Sequence, residues 1–105
     1  MTREDILPGY QGVQAGHAAI KFQWEHSQLA KNWFDNSQYL IYLTVPGESF
    51  LEILIDKAQR RGICYSVFRE PDIDNQITAV AFEPGDETRK LTQHLPLMLK
   101  KLQES

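Results

Sequence analysis

The sequence predicts an α/β domain built on a small mixed β-sheet. A nearly apolar helical segment from Pro8 to His26 carries one narrow polar strip. A strand, helix, strand unit spans Gln38 to Phe68, and a further strand, Ile77 to Phe82, follows closely enough to return antiparallel. At 105 residues, residues 1–105 form one domain, large enough for a real core and too short for two.

Residues 1–9 are charged and end in Pro8-Gly9, a loop that delivers the chain into the first helix. At about 100° per residue, Tyr10, Gln14, His17, Lys21 and Glu25 share one arc of roughly 80°. Val13, Ile20 and Trp24 flank that arc on one side. Ala15, Ala18, Ala19 and Phe22 fill the other, with Gly16 between. So apolar a helix is expected to be mostly buried, packed tightly on a sheet with the polar strip at the edge of a cleft. Ser27 to Phe34 either continues it or forms a second short turn before Asp35-Asn36-Ser37.

Gln38 to Val45 is apolar on both alternations and rich in aromatic and β-branched residues, the pattern of a strand covered on both faces. Pro46-Gly47 ends it. Ser49 followed by Glu52 matches a capping box, and Phe50, Leu51, Leu54, Ile55 and Ala58 form the buried stripe of the helix it opens. Arg60 and Arg61 suit the negative end of that helix and Gly62 a left-handed stop. Ile63 to Phe68 follows as a strand, so the crossover should be right-handed and the two strands a parallel pair. A polar loop, Arg69 to Gln76, leads to the strand Ile77–Phe82. From about Glu87 to Leu102 the spacing of Leu91, Leu95, Met98 and Leu102 predicts a helix, with Pro96 kinking it or starting a new one.

Charge and composition narrow the function classes. A net charge of −3 and a pI near 5.5 argue against a wholly basic nucleic-acid platform, leaving local patches such as Lys21 and Arg69. The single cysteine, Cys64, permits no internal disulfide and suits a reducing compartment. Met-Thr-Arg-Glu-Asp lacks a signal-peptide pattern and no apolar run is long enough to span a membrane, so a cytoplasmic protein is expected. His17 and His26 fall on nearly opposite helix faces and His94 is remote, so no chelating pair arises and no metal is expected.

Two stretches carry a resemblance. In the first, Gly9, Gln14, His17 and Ala18 stand at the spacing with which the peptidyl-tRNA hydrolase type 2 family opens its first helix; in the second, Asp72, Thr78 and Pro84 are similar to its aspartate loop and following strand. Order and spacing of the intervening elements agree from Gly9 onward. The family hydrolyses the ester joining a stalled peptide to tRNA. The resemblance implies a three-layer α/β/α fold and ester hydrolysis by activated water, without metal or organic cofactor, on tRNA or peptidyl-tRNA as partner. Carried over residue by residue, it makes His17, Asp72, Gln14 and Thr78 the catalytic candidates. The substrate-binding candidates are Tyr10, at the family's lysine position, and two basic residues, Lys21 on the polar strip and Arg69 before the acidic loop.

Three departures bear on that reading. Tyr10 stands where the family has a lysine, and a neutral phenol does not replace a cation at a phosphate or carbonyl. The loop after Asp72 lacks the family's Ala-Gly-x-Thr-Gln segment, so Glu70 or Asp74 could take the place of Asp72. The strand that opens the family is reduced to what Thr2 to Leu7 can supply, which leaves sheet hydrogen bonds to be covered and implies a homodimer. The alternative to an enzyme is a catalytically silent binding or regulatory module that keeps the fold and the strip without turnover.

Overall fold

The computed structural model describes residues 1–99. A four-stranded mixed sheet runs in the order β2-β1-β4-β3, with β1 at Thr2–Arg3, β2 at Thr44–Val45, β3 at Tyr65–Glu70 and β4 at Gln76–Phe82. Helices α1 (Pro8–Glu25) and α2 (Ser27–Asn36) cover one face; α3 (Glu48–Arg60) and α4 (Asp86–Thr92) cover the other. This is the three-layer α/β/α arrangement. Its first strand is shortened to two residues, yet it lies in the middle of the sheet, parallel to β2 and antiparallel to β4.

The main core sits between α3, α4 and the sheet, where Leu51, Leu54 and Ala58 meet Val45, Ile63, Ile77, Val80 and Leu91. Burying each leucine contributes about 1.5–3 kcal/mol. Gly62 closes α3 with φ 71°, a left-handed conformation that a side chain would strain. The expected capping box at Ser49 does not form. Gly47 is the N-cap, and Glu48 reaches across to accept a hydrogen bond from the Ile77 N–H at 2.7 Å.

Several expectations are corrected. The predicted strand Gln38–Val45 is a strand only at Thr44–Val45, and Tyr39, Leu40 and Ile41 are 70%, 60% and 47% exposed. The reason is the short β1: it pairs with Thr44 and Val45, and the Thr2 N–H reaches the Leu43 carbonyl, so the pairing does not extend to Tyr39–Ile41. Strands β2 and β3 run in the same direction but are not neighbours, because β1 and β4 are inserted between them.

The C-terminal helix stops at Thr92 instead of continuing through Met98. Beyond it the Pro96 carbonyl accepts from Thr44 N–H and Met98 N–H donates to Tyr42, an antiparallel fringe on β2. Leu102, the last residue of the predicted stripe, lies outside the described residues.

Helix α1 differs from the predicted orientation. Its buried residues are Gln11, Gln14, Ala15, Ala18 and Phe22, whereas Val13, Ile20 and Trp24 are 52%, 57% and 85% exposed. The helix packs on the sheet through its small residues, and part of the polar strip turns inward.

Candidate active site

The site begins with an irregularity in the sheet. Phe68 pairs with Ala79 but Arg69 pairs with Ile77, so Thr78 has no partner of its own on β3. Such a bulge breaks the alternation of faces and re-aims a side chain. Here it turns Thr78 toward α1, where its hydroxyl donates to Gln14 Oε1 at 2.6 Å.

Gln14 is fully buried and spends both ends of its amide, accepting from Thr78 and donating through Nε2 to Glu70 Oε1 at 3.0 Å. Tyr10, one turn earlier on α1, donates its hydroxyl to the same Glu70 oxygen at 2.8 Å. Glu70 ends β3 on the face it shares with Ser66 and Phe68, because side chains alternate along the strand. The hydrogen bonds from Tyr10 and then Gln14, with a further one from the Asp72 backbone, hold the Glu70 carboxyl below its ordinary range. In return the bond to Glu70 and the nearby negative charge hold the Tyr10 phenol above its ordinary value.

His17 lies one turn along from Gln14 on α1. Its ring lies 4.5 Å from the ring of Phe68 at 40°, and its Nδ1 is buried without a hydrogen-bond partner among the described residues.

The structure therefore brings together Tyr10, Gln14 and Thr78, with His17 beside them, around a carboxylate supplied by Glu70. The Asp72 side chain is exposed on the 3-10 turn Pro71–Ile73, and only its backbone enters the network. Lys21 and Arg69 lie apart from the cluster. Lys21 Nζ donates to the Val67 carbonyl at 2.7 Å and Arg69 donates to the Asn75 carbonyl at 3.3 Å. Both line a groove of about 580 Å³ that also touches Glu52, Asp56 and Gln59 of α3.

Phe68 is the contributor that sequence reading missed. The signal was there in the period of two that places Phe68 and Glu70 on one face, but nothing in the sequence said that this face would meet His17.

Among the described residues no group of three or more His, Cys, Asp or Glu side chains is placed to hold a metal ion, and no helix is long and apolar enough to cross a membrane. The chain matches the family model described as peptidyl-tRNA hydrolase PTH2 over residues 5–98. No curated protein matches it.

Proposed function

As the chain belongs to the peptidyl-tRNA hydrolase PTH2 family, we propose that it hydrolyses the ester between a peptidyl group and the terminal ribose of tRNA, and that Glu70 serves as its acid–base group. The observation that carries this reading is the relay Thr78, Gln14, Glu70, Tyr10, which fixes one oxygen of a partly exposed carboxylate. In the proposed step Glu70 takes a proton from a water molecule as the water oxygen bonds to the acyl carbon. The bond from that carbon to the ribose oxygen then breaks, and the proton passes from Glu70 to the leaving oxygen.

Gln14 and Thr78, buried and bonded to each other, act by positioning Glu70. Asp72 supports the same carboxylate through its backbone, and Lys21 and Arg69 supply cationic charge at the neighbouring groove for the tRNA backbone. We place this activity in the cytoplasm, where tRNA is found. No metal or organic cofactor enters the step.

A second reading, a silent binding module, is favoured by one observation: Tyr10, at the family's lysine position, presents a hydroxyl already bonded to Glu70 and no positive charge. The deciding experiment follows labelled peptide released from peptidyl-tRNA by the purified protein, with Glu70→Gln, His17→Ala and Tyr10→Lys beside it. Turnover that disappears in Glu70→Gln supports the hydrolase. No turnover in the natural chain but release by Tyr10→Lys identifies a silenced hydrolase, and none in either leaves the binding module.

A further inference from the structure

The imidazole of His17 lacks the usual means of being oriented. In most functional histidines one ring nitrogen is bonded to a carbonyl or carboxylate, and that bond fixes both the tautomer and the ring plane. His17 Nδ1 is buried and has no such partner among the described residues. The aromatic ring of Phe68, 4.5 Å away and tilted by 40°, packs against it instead.

We infer that Phe68 is the positioning residue for His17, and that the packing holds the imidazole in its Nε2–H form as a hydrogen-bond donor to the substrate acyl oxygen. A buried N–H without an acceptor is rarer in folded proteins than an acceptor left without a donor, so the proton belongs on Nε2. Each of the other donors of the strip already has a protein acceptor. Gln14 Nε2 and the Tyr10 hydroxyl serve Glu70, and Lys21 serves the Val67 carbonyl. His17 Nε2–H is left to meet the negative charge that develops on the acyl oxygen when water adds, which is where a preorganised donor accelerates the reaction most.

Phe68 is well placed to hold the ring. It is the last residue of β3 to pair in register before the bulge, opposite fully buried Ala79. The bulge that directs Thr78 to Gln14 therefore begins at the residue that supports His17. The role as donor to substrate rests on the hydrolase reading; the tautomer and its dependence on Phe68 do not.

The test separates the two. Proton–nitrogen correlation spectra of protein with 15N-labelled histidine, assigned by loss of the His17→Gln signal, report the tautomer without substrate. The expected result is a protonated Nε2 and a bare Nδ1, with mixed tautomers in Phe68→Ala and restoration in Phe68→Tyr. In the peptide-release assay Phe68→Ala should lower kcat by about 10- to 100-fold, the scale of a displaced oxyanion donor, with KM changed less than about twofold. Phe68→Leu serves for both measurements if the alanine variant does not fold. A proton on Nδ1 in the natural protein, or a tautomer indifferent to residue 68, overturns the inference. The expected tautomers with no turnover in any variant uphold the positioning by Phe68 and reject the hydrolase.

Discussion

Thr78 and Gln14 are 64 residues apart in sequence and joined by a 2.6 Å hydrogen bond between two fully buried side chains. The threonine has no register partner on β3, and the glutamine lies on the face of α1 that meets the sheet. Their contact ties the bulge to the helix and sets where Glu70 sits.

Thr78→Val should therefore destabilise the fold by about 1–3 kcal/mol, because Gln14 Oε1 stays buried without a donor. For a domain of this size each kcal/mol lowers Tm by roughly 4–8 °C. Urea unfolding of Thr78→Val, Gln14→Leu and the double variant gives the coupling. The double variant should cost clearly less than the sum, and strict additivity would show that the bond contributes little.

Tyr10→Phe removes the largest cause of the low Glu70 pKa and should let that carboxyl rise toward its ordinary range. The acid limb of the pH–rate profile should then move to higher pH, and the rate above it should increase because a more basic carboxylate takes a proton more readily. An unmoved acid limb would mean that Glu70 does not control it. The Tyr10 phenol itself, raised by the same bond, should ionise above pH 10 in an ultraviolet titration, and its hydrogen bond should stabilise the fold below that pH until the Glu70 carboxyl takes up a proton in acid.

Arg3 is held by Asp5 at 2.8 Å, by Gln76 Oε1 at 2.8 Å and by the Ile77 carbonyl at 3.2 Å, with only 8% of its surface exposed. Arg3→Met should cost about 1–3 kcal/mol by stranding these acceptors. Asp5 has its carboxyl lowered chiefly by the hydrogen bond from Arg3, so the pair stabilises the fold above the ordinary carboxylate pKa. That stability fades as pH falls through the lowered folded value. The stability gap between the natural chain and Asp5→Asn should accordingly close below about pH 4, and a gap that persists in acid would count against the pairing.

Strand β3 is a sheet edge, and Lys21 of α1 and His26, the residue that caps its end, shield it. Lys21 donates to the outward carbonyl of Val67, and His26 Nε2 lies 3.0 Å from that of Tyr65. Removing both, in Lys21→Ala with His26→Ala, should uncover an edge able to pair with another chain. Sedimentation should show concentration-dependent association that neither single change produces to the same degree. The homodimer expected from the short first strand would use the opposite side, near exposed Tyr39 and Leu40. Light scattering at high dilution checks it, with a monomer as the contrary result, and Leu40→Lys should weaken any dimer found.

The order of helices and strands from Pro8 to Phe82, the mixed sheet and the clustering of Tyr10, Gln14 and His17 on one helical arc could be read from residue spacing, since both periods are local properties of the backbone. The ends of the elements could not. Whether Tyr39–Ile41 joins the sheet depends on the length of a strand remote in sequence, and Pro96–Met98 abandons the helical pattern because Tyr42 and Thr44 offer backbone partners.

The same holds within the site. The helical period groups the strip without saying how α1 is rolled against the sheet, which is why Gln14 is buried while Val13, Ile20 and Trp24 face solvent. Asp72 and Glu70 look equivalent as acidic residues beside Pro71. A one-residue bulge at Thr78 and the pairing of Glu70 with Gln76 bring Glu70, and not the Asp72 side chain, to Tyr10 and Gln14. Local pattern fixes which residues share a face; long-range pairing and the need to satisfy buried polar groups decide what that face meets.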